Sequence, residues 1–412
     1  MGWDRIPPVL AVSALNRGES VITEIEIEGF KSLEKVRLKL GRFNLFVGTN
    51  GSGKSNFLDS LRVLQGIGYG LKIGEIFDGK PKGPVNEVWM GIRGGSARAC
   101  YHGSDAAPGS GVRFTVNFIK GSLPALRYFI WLLPTPGEVQ EEEMKIGSQL
   151  FFERNLRNLV LDRGSVEELE IPGLDPTRTV LSTIGFGIPQ YQQIIGAWQQ
   201  ALSNMQRLDP VPARLREYSQ LGAVRMAEQG ENFAAVVESI LEDEDLHRAY
   251  LSWLQQLTPT EFDDVTILKG ALGEPLFAIR ENGQTIPAPV LSDGTLRFAA
   301  ITAAFFQNSM PDVLTIEEIE NGIHPTRLRL LVELLKSQSA ENGPQVFATT
   351  HSPVVLAWLD ESDYETTFFC KRDEETGASI IRPLSEIPRL VELVKKYRLG
   401  DLFTEGWMET AP

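Results

Sequence analysis

Phe43-Asn44-Leu45-Phe46-Val47 runs directly into Gly48-Thr49-Asn50-Gly51-Ser52-Gly53-Lys54-Ser55, and no other stretch constrains the chain as much. An apolar, strand-like run enters a G-x-x-x-x-G-K-S loop, and Phe57, Leu58, Leu61 and Leu64 then recur at helical spacing. Strand, glycine loop and helix in that order make a phosphate-binding P-loop. Gly48, Gly51 and Gly53 let the backbone curl until several N–H groups face one anion. Lys54 supplies positive charge for β- and γ-phosphates, and the Ser55 hydroxyl is a ligand for Mg²⁺. The helix starting near Lys54 points its positive end at the same place. The nucleotide-binding set read here is Asn50, Gly51, Ser52, Gly53, Lys54, Ser55 and Asn56, with ATP and Mg²⁺ as the cofactors. A glycine turn that merely precedes Lys-Ser is the bland alternative, and the placement between strand and helix speaks against it.

Composition sets outer bounds. A chain of 412 residues has room for two or three domains with sizeable cores. Cys100 and Cys370 are its two cysteines; they lie far apart and make neither a disulfide framework nor a zinc site, so a cytoplasmic location is expected. No apolar run approaches the ~20 residues that cross a bilayer, and no membrane partner is expected. Residues 1–20, with Asp4, Pro7 and Pro8, make a poor signal peptide and read as a loosely held N-terminal extension. A formal charge of −14 opposes whole-surface attraction to DNA, RNA or anionic lipid, but leaves room for a local basic groove.

Ile25 and Ile27 alternate with Glu24, Glu26 and Glu28, and Val36, Leu38 and Leu40 alternate with Lys35, Arg37 and Lys39, which predicts two half-buried strands. Gly66 to Gly111 is glycine-rich and irregular, with short strand-like runs such as Val88 to Ile92, and a further strand is expected over Val112 to Ile119. Residues 120–285 read as mixed and more helical, with helices over Gln149 to Leu161, Tyr191 to Met205 and Asn232 to Leu257. The acidic clusters Glu141 to Glu143 and Glu242 to Asp245 read as solvated faces in helical surroundings, and Trp131, Phe151 and Phe152 as core. From Leu291 onward helices and apolar strands alternate, an α/β pattern.

Three further motifs lie in that last region. Val313-Leu314-Thr315-Ile316 ends in Glu317-Glu318, and the carboxyl ends of strands are where chemistry gathers in an open α/β sheet. Beside a P-loop strand, Glu317 would hold Mg²⁺ through its water shell and Glu318 would polarise the attacking water. Ordinary solvated acids at a strand end would look the same in isolation. Leu291-Ser292-Asp293-Gly294-Thr295 opens an apolar helix pattern from Leu296 to Phe306. Ser292 is a natural N-cap, and the amides after it can receive an anion or simply be capped. Phe347-Ala348-Thr349-Thr350-His351 is another apolar strand with a polar end, where a histidine can hydrogen-bond a γ-phosphate.

The order G-x-x-x-x-G-K-S, L-S-D-G-T, I-E-E-I-E-N-G-I-H-P and T-T-H-S-P resembles the RecF, SMC and OLD-like branch of the ATP-binding-cassette (ABC) ATPases, in particular the stand-alone predicted ATPases of bacteria. The likeness covers roughly residues 21–120 and 286–400, and Gly29-Phe30-Lys31-Ser32 matches the group's opening turn, which places Lys31 near the adenine. It implies an α/β ABC-type head: lobe I over 21–119, an inserted, largely helical lid or arm over 120–285, and lobe II over 286–412. It also implies a homodimer closed by ATP, with Ser292, Asp293 and Gly294 reaching the partner's γ-phosphate, and Lys54, Glu318 and His351 as the catalytic residues. DNA maintenance or phage defence, an effector protein encoded nearby, and DNA or RNA as ligand follow from the group. A nucleotide-gated protein scaffold with little turnover is the alternative.

Departures from the group's pattern matter. Glu317 stands where an aspartate is commoner, and no glutamine occurs between Gln65 and Gln140 to serve as the usual Q-loop residue; Asn86 and Arg93 lie in the right stretch. OLD nucleases carry a Toprim domain after the ATPase, and the roughly sixty residues after His351 are too few for one. The insert lacks heptads, and its arginines (among them Arg154, Arg157, Arg163, Arg178, Arg207, Arg214, Arg216 and Arg225) are interleaved with acids, so no basic stripe is legible.

Overall fold

The computed structural model describes residues 20–80, 89–103, 111–121, 125–156, 158–161, 174–183, 189–257, 262–340 and 343–410. The N-terminal extension before Ser20, Asn86, Val88, Arg157 and Arg163 lie outside them. The chain divides into two compact units. The first comprises the residues up to Gly41, Gly48–Met205 and Phe369–Pro383; the second comprises Arg42–Val47, Gln206–Phe368 and the residues from Leu384 on.

In the first unit, Leu33–Lys39, Ser20–Phe30, Val112–Lys120, Leu126–Leu133, Glu138–Ile146, Gln149–Asn155 and Asn158–Leu161 lie side by side in that order as an antiparallel sheet. The period-two pattern read for the first strands is realised: Ile25, Ile27, Val36 and Leu38 are buried while the charged residues between them are not. One buried and one wetter face is the usual state of an antiparallel sheet. The Lys54–Gly68 helix packs against the Pro189–Ser203 helix. Gly68 permits that approach, because a Cβ there would stand 2.4 Å from Ser203 N.

Two expectations for the insert are overturned. Gln149 to Leu161 is not helical but forms two strands, Gln149–Asn155 and Asn158–Leu161. The Glu141 to Glu143 cluster lies on the Glu138–Ile146 strand, and Glu142 is fully buried rather than solvated. The reason is partner geometry: Tyr128 Oη (2.9 Å) and Val180 N (2.6 Å) donate to the Glu142 carboxylate, and the buried Arg154 guanidinium lies 4.0 Å away. A buried acid is tolerated when it is hydrogen-bonded and paired. Trp89 to Ile92, the described part of the run from Val88, forms no strand. Phe151 and Phe152 are buried as read, whereas Trp131 is half-buried under the Arg113 guanidinium, 4.4 Å from its ring centre.

In the second unit, Phe43–Val47, Gln345–Thr350, Val313–Ile316 and Met205–Leu208 are neighbours in that order, and the first three run parallel. Every residue of those three strands is buried, which a parallel sheet covered on both faces requires. The Asp293–Ala304 helix is buried along nearly its whole circumference by Leu296, Phe298, Ala299, Ala300 and Ile301, and shares a core with Leu45, Leu314, Leu331 and Val346. The helix expected over Asn232 to Leu257 is two helices, Phe233–Leu241 and Glu244–Gln255, because the Asp243 side chain caps the second by accepting from Asp245 N and Leu246 N. The Tyr191 to Met205 helix is present as Pro189–Ser203. No helix among the described residues is long and apolar enough to cross a membrane.

Candidate functional site

The P-loop residues after Val47 belong to the first unit. Gly51 and Gly53 have φ of 81° and 105°, values that glycine adopts without strain. Gly53 is needed for space as well, since a Cβ would come within 2.1 Å of Ser379 Oγ; at Gly48 it would meet Cys370 O at 2.2 Å. Lys54 is 7% exposed, and its ammonium donates to Gly48 O (2.6 Å) and Thr49 O (2.9 Å), so the charge lies along the loop. Ser52 Oγ is buried without a hydrogen-bond partner. Burial pushes the Cys370 thiol up to about 12 against a smaller opposing pull from Lys54, which leaves it an inert core group.

A cavity of about 800 Å³ opens in the same unit, lined by Lys31, Ser32, Ser55, Asn56, Arg93, Arg98, Cys100, Tyr101, His102, Arg372 and Thr376. That size suits a nucleotide. Four lysine and arginine side chains and no carboxylate line it, which favours a polyanion. Lys31, in the left-handed region at φ 52°, pairs with Asp59 at 2.5 Å, and Arg93 forks onto the same carboxylate at 3.0–3.2 Å while donating to Ser55 O at 2.9 Å. Asn56 Nδ2 donates to Ser32 Oγ (2.7 Å), itself 2.7 Å from Ser379 Oγ. The opening turn and the start of the Lys54 helix are thus bound together. Asp59, a buried acid beside Phe57, Leu58 and Leu61 in the Lys54–Gly68 helix, was the overlooked sign of this network.

The second unit holds the acidic and signature motifs. Val313–Ile316 and Gln345–Thr350 run parallel in register, Ile316 opposite Ala348, and Thr350 lies opposite Val47 at the end of Phe43–Val47. Three neighbouring strands therefore end at one edge, followed in sequence by Glu317-Glu318, His351 and Gly48. Arg207 Nη2 donates to Glu317 Oε1 (2.7 Å). Glu318 has φ 48°, its N–H donates to Thr349 Oγ1 (3.0 Å), and its carboxylate is half-buried. Glu320 Oε1 accepts from the His351 amide (2.7 Å) and lies 3.0 Å from His351 Nδ1, which fixes the imidazole ring. The signature residues form a capped helix start: Ser292 Oγ accepts from Thr295 N (3.2 Å), and Arg216 holds Asp293 at 2.6 Å. Gly294 lies against Gly322 O, which a Cβ would approach to 2.6 Å. Sequence reading missed Arg207 and Glu320 as partners of these motifs. It also missed Arg297, whose one signal was a lone charge inside the apolar run after Ser292.

Two family models match, one described as "AAA ATPase domain" over residues 21–67 and one as "AAA domain, putative AbiEii toxin, Type IV TA system" over residues 215–357. An "ATP/GTP phosphatase" of Helicobacter pylori (strain ATCC 700392 / 26695) is 21% identical over 377 residues, covering 86% of this chain and 93% of that protein. A crystal structure of an SmcHead bound to the C-winged helix domain of ScpA aligns at 14% identity with a TM-score of 0.53, covering 89% of this chain and 99% of the other. An SMC head domain from Thermotoga maritima aligns at 14% identity and a TM-score of 0.44, covering 88% of this chain and 98% of that one. At such identity the structural likeness is one of fold, and the fold is an SMC-head-like α/β P-loop ATPase head. The family models and the phosphatase add nucleotide hydrolysis in general.

Proposed function

We propose that this chain, which belongs to the RecF/SMC-like branch of the ABC ATPases, hydrolyses ATP as a head that pairs with a second copy of itself around the nucleotide. The observation that carries the reading is the common edge of three parallel strands, followed in the chain by the P-loop, Glu317-Glu318 and His351. In this reading Asn50 to Asn56 wrap the phosphates, Lys54 offsets their charge, and Lys31 lies on the adenine side of the cavity. Glu318 polarises the attacking water, and His351, oriented by Glu320, answers to the γ-phosphate. Ser55 and Glu317 are hard oxygen donors of the kind Mg²⁺ takes, and they would hold it while it neutralises charge on the leaving group. Ser292, Asp293 and Gly294 complete the partner's site. The biological setting is a cytoplasmic motor or sensor in DNA maintenance or phage defence that signals to a separate effector, a role supported by the toxin–antitoxin wording of the matching family model.

Two observations favour a second reading, a nucleotide-gated protein scaffold with little turnover. Arg207 already occupies an oxygen of Glu317, and the similar SMC head is bound to a protein partner. Variants separate the readings. Lys54→Ala should lose ATP binding and hydrolysis, whereas Glu318→Gln should keep ATP while hydrolysis falls about 10²- to 10³-fold. ATP should convert Glu318→Gln to twice the monomer mass in light scattering. Mixing Lys54→Ala with Ser292→Arg should restore one working site per pair. Unchanged hydrolysis by Glu318→Gln would remove that residue from its role, and no recovery on mixing would mean that each site is completed within one chain.

A further inference from the structure

We propose that Arg297 is a positioning residue for hydrolysis: its guanidinium sets the backbone from which Glu318 presents its carboxylate, and ties that backbone to the helix opened by Ser292. The proposal rests on the reading of Glu318 as the water-polarising group. Arg297 sits inside the Asp293–Ala304 helix and is 3% exposed. Burying a guanidinium costs several kcal/mol unless its donors are met. Here the two terminal nitrogens are met: Nη2 donates to Glu317 O (3.0 Å) and Glu318 O (3.3 Å), and Nη1 donates to Pro210 O (2.8 Å) and Asp209 Oδ1 (3.3 Å), while Nε is buried without a partner. The cation thus grips the carbonyls of the acidic pair, leaving Glu318's side chain directed elsewhere.

Glu318 needs such a grip. Its φ of 48° lies in the left-handed region, which costs a residue with a Cβ roughly 1–2 kcal/mol. Strain of that kind persists only where the surroundings over-determine it. Three contacts do so: Arg297 on the carbonyl, Thr349 Oγ1 on the amide (3.0 Å), and Asn321 N, which also donates to Glu318 O (2.8 Å). Of these, only Arg297 comes from the helix whose first turn carries Ser292 and Asp293. A movement of that helix start is therefore transmitted to the peptide carrying Glu318.

The experiment compares Arg297→Lys and Arg297→Gln, each alone and combined with Glu318→Gln, in steady-state hydrolysis, nucleotide binding and thermal melting. Arg297→Gln should lower kcat roughly 10- to 100-fold, the cost of a small misplacement, with KM and ATP affinity nearly unchanged. Arg297→Lys should recover part of kcat, because a point charge replaces a fork, and its melting temperature should stay near wild type. In the Glu318→Gln background neither change should lower hydrolysis further, as expected for residues that act as one unit. Full hydrolysis by Glu318→Gln alone would overturn the catalytic reading and this proposal with it. A collapse in Glu318→Gln beside a normal kcat in both Arg297 variants would overturn the proposal alone. So would losses that multiply in the double variant, or a loss of ATP affinity equal to the loss of kcat.

Discussion

Arg207 Nη2 donates to Glu317 Oε1 across 2.7 Å, while the same side chain lies 3.3 Å from Glu228 Oε1. Glu317 is the carboxylate proposed to face Mg²⁺, so the arginine and the ion compete for one group. Charge-assisted hydrogen bonds contribute about 1.5–3 kcal/mol, less where water reaches them, as it does here. Arg207→Ala should therefore lower the Mg²⁺ concentration that half-saturates hydrolysis, by roughly threefold to tenfold, provided the fold is kept. A Mg²⁺ titration of phosphate release checks it. An unchanged or higher requirement would mean that Arg207 supports the metal-binding carboxylate rather than competing for it.

Gly51 and Gly53 share a positive φ but differ in their surroundings, and that difference should be measurable. Nothing stands within 4 Å of a Cβ added at Gly51, so Gly51→Ala should cost only backbone strain, about 1 kcal/mol. At Gly53 the added carbon meets Ser379 Oγ at 2.1 Å and Ser379 Cβ at 2.7 Å, so Gly53→Ala should cost about 2–4 kcal/mol and lose nucleotide binding. Removing the obstacle with Ser379→Gly should return the packing part and leave the strain. Denaturant unfolding of the three variants gives the comparison, and equal losses at the two glycines would contradict it.

The same two positions explain how much was legible beforehand. Glycine spacing, Lys54, Ser55 and the strand ends at Glu317 and His351 are local patterns, and local patterns are written in sequence. Period two identified Ile25, Ile27, Val36 and Leu38 as an inward face for the same reason. The failures came where distant partners decide the outcome. Glu141 to Glu143 look like a solvated face until Tyr128, Arg154 and Val180 N are brought round Glu142. Gln149 to Leu161 carries enough polar residues to imitate a helix, yet its neighbour Glu138–Ile146 offers a free strand edge and takes it into the sheet. Likewise Arg297 went unread, because Pro210 and Glu317, whose carbonyls it binds, are 87 and 20 positions away.

Glu142 should give the stability a pH dependence with a definite sign. Burial pushes its carboxyl from 4.5 up to about 7, against the opposing pull of Val180 N, Arg154 and Tyr128. The folded chain therefore binds a proton more tightly than the unfolded chain, and the contribution is fully present below about pH 4.5. It is lost as the pH rises towards about 7 and is constant above that, amounting to about 3 kcal/mol at most. Glu142→Gln keeps an acceptor for Val180 N without a titrating proton, and should flatten this part of the profile. Melting temperatures from pH 5 to 8 on both proteins test it. A wild-type profile rising with pH in which Glu142→Gln changes nothing would show that Arg154 keeps the carboxylate charged.

The last prediction concerns nucleic acid. The formal charge is −14, so no general attraction to a phosphate backbone is available. Arg154 is buried against Glu142, and much of the cationic surface that the middle segment offers is already engaged: Arg178 pairs with Asp175, Arg207 with Glu317 and Glu228, Arg214 with Glu217, and Arg216 with Asp293. Among the described residues no group of three or more histidine, cysteine or acidic side chains could hold a metal ion for strand cleavage. Duplex DNA and RNA should therefore bind weakly without nucleotide, and purified protein with Mg²⁺ or Mn²⁺ should not cut them. If ATP draws two heads together and aligns arginines from both, affinity should rise with ATP in Glu318→Gln and fall steeply with salt. Each phosphate neutralised on duplex DNA adds about −0.9 to the log–log slope. A salt titration of labelled duplexes, with and without ATP, reads both quantities. Tight binding without nucleotide, or cleavage that Lys54→Ala retains, would contradict this expectation. No binding in any state would favour the protein scaffold, because the nucleotide would then have a second protein as its remaining target.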